Sequence, residues 1–156
     1  MKIESFQLEP GEGIPNNSQL PVLLYRGAVT DAPGEAAAAA FEKLFLAHGW
    51  PPQWRNSVYD FHHYHSTAHE ALGFAAGHAR LMLGGPGGRE VTVEAGDAVL
   101  LPAGTGHCAL EKSGDFLVVG AYPPGQDWKV EREAATEATR RRITAVPAPE
   151  RDPVKG

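Results

Sequence analysis

Four of the chain's seven histidines fall within eight positions, His62-His63-Tyr64-His65-Ser66-Thr67-Ala68-His69, and Glu70 follows at once. On an extended strand, residues two apart share a face, so His63 and His65 project to the same side. Two neighbouring imidazoles make a chelating pair for a divalent ion, and a carboxylate from a nearby segment can add a third corner. Alone, His-x-His describes a solvated strand end equally well. His62 alternates to the outer face, which suits a surface or ligand-supporting role. His69, three residues after His65, could replace Glu70 in such a set if the intervening turn were one residue tighter. His78 follows a glycine and His48 closes a helical stretch, where a cation meets the helix dipole favourably, so both read as structural.

The elements that must position these groups are short. The chain has 156 residues, enough for one domain with one sizeable core. With 18 Gly and 13 Pro, about a fifth of it is turn-forming, which suits a β protein better than a helix bundle. A strand is expected over Leu20–Tyr25. One helix is expected from about Gly34 to His48, where Phe41, Leu44, Phe45 and His48 recur at the helical period. Asp31 is its expected cap, Gly49 stands at its end and Pro51-Pro52 lie beyond. From Tyr59 to Tyr122, seven apolar runs alternate with glycine-rich turns: Tyr59–His65, Glu70–Ala76, Ala79–Leu83, Glu90–Glu94, Ala98–Leu101, His107–Glu111 and Phe116–Tyr122. That spacing predicts a sandwich or barrel. A polar helix is expected over Glu131–Ile143, with Glu137 paired to Arg141. The expected organisation is a single domain, residues 1–156, with a barrel core over about 20–125 and an extension over about 126–156.

Two spacings stand out. His63-x-His65, four residues, Glu70, six residues, Gly77 is the first. Gly96, five residues, Pro102-x-Gly104, two residues, His107 is the second, and residues 78–95 separate the two. The second pattern arises by chance in under about 1% of chains of this length and composition. Together the two resemble the paired signature motifs of the cupin superfamily. The resemblance extends to a group of small bacterial single-domain cupins of no settled activity (YjlB-like). It is carried by Ile14-Pro15-Asn16-Asn17, Leu20-Pro21, Tyr59–Glu70, Leu101–His107, Gly120-Ala121-Tyr122-Pro123 and Asp152-Pro153-Val154.

The resemblance implies an all-β fold, a six-to-eight-stranded antiparallel double-stranded β-helix or jelly-roll barrel, to which the residue pattern adds one helix in the N-terminal half and a helical C-terminal extension. It also implies a divalent metal (Fe, Mn, Ni, Co, Cu or Zn) held by His63, His65, Glu70 and His107. Two positions depart from the pattern. Ser57 stands where a turn glycine is expected, and Glu111 stands where an asparagine is often found. Glu111 shares a strand face with His107, which could place an extra carboxylate near the cavity, and Glu111, Tyr59 and Tyr122 are the candidate catalytic residues, for proton transfer or substrate contact. Cys108 faces away from His107 and reads as a small core residue. Trp50, Trp54, Tyr59, Phe61 and Phe74 could line a cavity, although aromatics in a small barrel are more often core.

The net charge of −5 argues against binding nucleic acid. One cysteine allows no intrachain disulfide, and no apolar run approaches a membrane span or a signal peptide, so a cytoplasmic protein is expected. The expected partner is a small-molecule ligand, and exposed strand edges suit a homodimer. Three functions fit. One is a metal-dependent enzyme on an oxygen-chelating substrate, of oxygenase or isomerase/lyase type. The second is a cupin that binds a metabolite or metal without chemistry, and the third is a metal-free structural cupin.

Overall fold

Every residue of Glu70–Ala76 is buried, yet the two faces of this strand differ in kind. Leu72 and Phe74 point one way into a core of large aliphatic and aromatic side chains. Ala71, Gly73 and Ala75 point the other way and are small because a helix lies on them. This one strand therefore separates two hydrophobic layers. Glu70, in phase with Leu72 and Phe74, begins the strand on its inner face.

The computed structural model describes residues 1–156. Its strands are β1 (Lys2–Phe6), β2 (Val22–Arg26), β3 (Pro52–Asn56), β4 (Glu70–Ala76), β5 (His78–Leu83), β6 (Arg89–Glu94), β7 (Ala98–Leu101), β8 (His107–Lys112) and β9 (Leu117–Ala121). Its helices are α1 (Glu35–Ala47) and α2 (Glu137–Ala145). A six-stranded antiparallel sheet runs β1-β2-β7-β4-β9-β3 and a three-stranded one runs β6-β5-β8. The two sheets enclose Val22, Leu24, Leu72, Phe74, Leu81, Leu83, Val99, Leu101 and Val118 between them, which makes the expected all-β jelly-roll barrel. No helix is long and apolar enough to cross a membrane.

Helix α1 covers the outer face of the larger sheet. Phe41 and Phe45 are fully buried against Ala71, Ala75, Val119 and Ala121. A Cβ at Gly73 would lie 2.4 Å from the Phe41 ring, so only glycine lets the helix sit this close. The helix matches the expected span within a residue at each end. Its start does not: Gly34 caps it without any side-chain hydrogen bond, and Asp31 plays no capping part. An ion-pair clamp from Arg55 of β3 to Glu35 and Glu42 fastens the helix to the sheet edge.

Several elements lie where local sequence gave no sign of them. β1 pairs with β2 well ahead of the expected core boundary near residue 20. β3 begins at Pro52, which reads as a helix stop but is tolerated because β3 is an edge strand. The expected strand Tyr59–His65 is not a strand: only isolated bridges form there, His63 with His107 and Tyr64 with Glu131. The expected helix Glu131–Ile143 starts later, at Glu137, behind a capping box in which the Thr136 side chain accepts from the Thr139 amide. Its Glu137–Arg141 pair does form, at 2.9 Å.

The last residues lie back over the outer layer. Trp50 Nε1 donates to the Arg151 carbonyl (2.9 Å), the Tyr25 hydroxyl donates to Asp152 (2.7 Å), and Val154 is buried beside α1. His48 contacts the Pro153 carbonyl through Nδ1 at 2.9 Å, a structural role as expected.

Candidate metal centre

The loop that carries His107 is bolted down from a distance. Asn16, buried and at φ 53°, accepts from the Gly106 amide through Oδ1 and donates to the Gly84 carbonyl through Nδ2. Asn17 donates to the Ala103 carbonyl. Between them, Gly104 adopts φ 87°, and a Cβ there would lie 2.8 Å from the Asn16 carbonyl oxygen, so no other residue fits this turn. The His63 and His107 backbones exchange both hydrogen bonds, at 3.2 and 2.9 Å, which brings the two histidine segments together.

His63, His65 and His107 are all buried, and one nitrogen from each lies within 4.8 Å of the others. Each ring is oriented by its other nitrogen. Nδ1 of His63 meets the Phe61 carbonyl at 3.0 Å, that of His65 the Lys129 carbonyl at 2.9 Å, and that of His107 the Thr105 carbonyl at 3.0 Å. A carbonyl oxygen only accepts, so Nδ1 carries the hydrogen in all three rings. In the neutral rings each Nε2 is then a bare lone pair aimed at a shared space. Three buried imidazoles so arranged could hold a metal ion.

Glu70 lies beside two of the three. Its Oε2 is 3.3 Å from Nε2 of His65, and its Oε1 is 3.0 Å from Nε2 of His107. Oε1 is buried and receives no hydrogen bond while the rings carry their hydrogens on Nδ1. Two lone pairs facing a carboxylate at these distances repel unless positive charge lies between them, either a proton on each ring or a cation. The donor set therefore fits a divalent metal. Glu70 is not within the close group formed by the three imidazoles, so the expected four-ligand set divides into a tight histidine triad and an adjoining carboxylate. Its Oε2 accepts from the Tyr122 hydroxyl at 2.5 Å, and Tyr122 accepts from Trp54 Nε1 at 2.9 Å.

The charges are strongly coupled. Burial alone would raise the Glu70 carboxyl, but the positive charge on His65 and the closeness of His107 hold it well below the ordinary carboxylate range. Burial depresses His65, and the Glu70 charge more than offsets it, so His65 is raised. Burial and then the nearby charge of His107 push His63 down to about 3. A buried histidine kept neutral makes the metal-free protein sensitive to acid. Below the ordinary value of 6.5 the unfolded chain binds a proton that folded His63 refuses. Metal-free protein is expected to lose up to about 1.4 kcal/mol per pH unit from this group between about 6.5 and 3. Urea unfolding in chelator at pH 7, 6 and 5 checks this, and a His63→Leu variant is expected to show a flatter profile. An equally steep profile in the variant would place the acid sensitivity elsewhere.

The triad floors a cavity of about 470 Å³ that also reaches Glu70, Tyr59, Tyr122, Trp54, Lys112, Trp128 and Val130. Tyr59 stands at the mouth, half exposed, stacked on Phe61 and edge-on to His63. Tyr122 is buried, with its ring parallel to Trp128 at 4.8 Å, and burial followed by the Glu70 charge raises its hydroxyl, so it stays protonated. Of the aromatics read from sequence, Trp54 and Tyr59 line the cavity, whereas Trp50 and Phe74 belong to the two cores.

Glu111 is the clear departure. Its side chain is 75% exposed on the outside of the smaller sheet, 3.3 Å from Arg80. Strict alternation along β8 would have turned it inward beside His107. A bulge intervenes: Leu81 pairs with Ala109, but Arg80 pairs with Glu111, so Leu110 is the extra residue and the phase inverts beyond it. Lys112, not Glu111, reaches the cavity.

His69 is fully buried but belongs to another task. Its Nδ1 accepts from the Ala103 amide (2.9 Å) and its Nε2 donates to the Pro147 carbonyl (2.7 Å), so neither nitrogen is free for a metal. His62 lies outside the triad. The extension supplies what the sequence pattern could not show. Residues around Glu131 bridge to Tyr64, the Glu131 carboxylate accepts from the Ser66 amide at 2.7 Å, and Lys129 orients His65. Trp128 and Val130 carry no signature of their own, since only the fold brings them to the mouth.

No family model matches the chain. A crystal structure of a DUF861 family protein from Thermotoga maritima is 21% identical and covers 59% of this chain and 96% of its own, with a TM-score of 0.35, too slight a likeness to bear on this protein. The Bacillus subtilis protein YjlB, described as uncharacterized, is 37% identical over 150 residues, which cover 94% of this chain and 87% of YjlB. Identity at that level over nearly the whole of both chains makes this protein a member of the YjlB family.

Proposed function

We propose that this protein is a cupin that binds one divalent metal ion through His63, His65 and His107 with Glu70 adjoining, and acts as a metal-dependent enzyme on a small oxygen-chelating molecule, of oxygenase or isomerase/lyase type. The observation that carries this reading is the set of three clustered imidazoles, each oriented by a backbone carbonyl, with two of them beside a buried carboxylate, all lining one cavity. A metal bound there supplies Lewis acidity toward a chelating diol, catechol or 2-oxo acid, or redox chemistry if it is iron.

The chain's own groups do the rest. The Tyr122 hydroxyl, kept protonated, donates to Glu70 Oε2 and fixes the carboxylate's orientation. Trp54 fixes Tyr122 in turn. Tyr59, half exposed and backed by Phe61, meets a ligand first, at the opening. Val58, Leu72 and Val130 keep the walls apolar and displace water from the ligand.

The test is metal uptake. After incubation with each of Fe(II), Mn, Ni, Co, Cu and Zn and removal of free ion, at least one is expected to remain at one ion per chain. Catechol added to the cobalt form is expected to change its visible spectrum. Trace occupancy by every ion would contradict the proposal.

A further inference from the structure

The bulge at Leu110 does more than remove Glu111 from the site. It exchanges an acidic side chain for a basic one: Lys112 becomes the only lysine or arginine lining the cavity. Its ammonium is held in the wall by two neutral acceptors, the Val58 carbonyl at 3.0 Å and Ser57 Oγ at 3.2 Å. It takes part in none of the protein's ion pairs. The three hydrogens of an ammonium thus have two partners, and the third has none from the protein. Two acids also line the cavity. Glu70 is already committed to Tyr122 and the histidines, and Asp60 is an exposed rim residue that no hydrogen bond positions. A cation positioned by neutral acceptors and engaged in no ion pair, in a cavity with aromatic walls, is suited to receive an anion.

We propose that the ligand of this cavity is a small carboxylate. Lys112 binds its carboxylate, its planar or branched apolar body lies among Tyr59, Trp54 and Trp128, and any chelating oxygens lie at its other end, toward the triad. The chelating end rests on the metal reading above, but the Lys112 end does not. A cavity of about 470 Å³ suits an acid of this kind, because small-molecule sites of this volume enclose most of their ligand. The departure of Ser57 from the expected turn glycine takes on a role here, since its hydroxyl helps to hold the ammonium in place.

The experiment has two arms. In metal-free protein, benzoate and benzyl alcohol are titrated by NMR against wild type, Lys112→Met and Lys112→Arg. Wild type is expected to prefer benzoate by about tenfold, with the preference lost in Lys112→Met and retained in Lys112→Arg. In cobalt-loaded protein, 3,4-dihydroxybenzoate is compared with catechol, and the same ratio is expected to fall to about one in Lys112→Met. Lys112 is at the surface, and unchanged thermal unfolding of both variants confirms that they fold. No preference for the acid in wild type, or a preference that survives in Lys112→Met, overturns the proposal. If cobalt fails to load, the metal reading fails, while the first arm still decides the role of Lys112.

Discussion

Replacing His107 with alanine is expected to weaken divalent-metal affinity by about a thousandfold or more. Changes to groups that only support a ligand cost about 10- to 100-fold, and this substitution removes a ligand itself. It also takes away the imidazole nitrogen that lies 3.0 Å from Glu70 Oε1, leaving a buried carboxylate with less to offset its charge. The backbone bridge between positions 63 and 107 survives in the variant, so the loop stays in place and the loss is one of chemistry. Metal competition titrations check this against His62→Ala, which changes an adjacent histidine outside the triad and is expected to bind as wild type does. Equal affinity in the two variants would remove His107 from the site.

The largest effect on stability is expected at Phe41. Its side chain is fully buried over Gly73, at the contact that joins α1 to the larger sheet. Phe41→Ala is expected to destabilise by about 3–5 kcal/mol, since both the transfer energy and the cavity left behind count against it. Gly73→Ala attacks the same contact from the other side by overpacking and is expected to cost about 1–3 kcal/mol. Neither residue touches the triad, so at a temperature where Phe41→Ala remains folded its metal affinity should match wild type. Urea denaturation measures both variants. A change below about 1 kcal/mol for Phe41→Ala would mean that the helix is not held as described.

Local pattern carried a good deal of this. Phe41 and Phe45 at the helical period mark the buried face of α1, and Glu70–Ala76 and Ala98–Leu101 are strands where their apolar runs place them. The histidine pair teaches a subtler lesson. His63 and His65 do converge, but not because a strand carries them. Tyr64 is bridged to Glu131 and His63 to His107, so the alternation comes from two partners far apart in sequence. Glu111 is displaced for the same kind of reason. A bulge depends on the register between two strands, and nothing in His107–Lys112 read alone reveals that Leu110 has no partner. His69 reads as a possible ligand until Ala103 and Pro147 occupy both of its nitrogens. Trp128, Val130 and the carbonyl of Lys129 reach the site only because the extension lies across the barrel mouth, a long-range fact without a local code.

The central claim is that three imidazoles share one ion. X-ray absorption on the metal-loaded protein counts them directly through the multiple scattering of the rings. Three imidazole nitrogens are predicted in wild type, falling to two in His107→Ala wherever any metal remains. A coordination shell made of oxygen alone, or one unchanged by that substitution, would contradict the account.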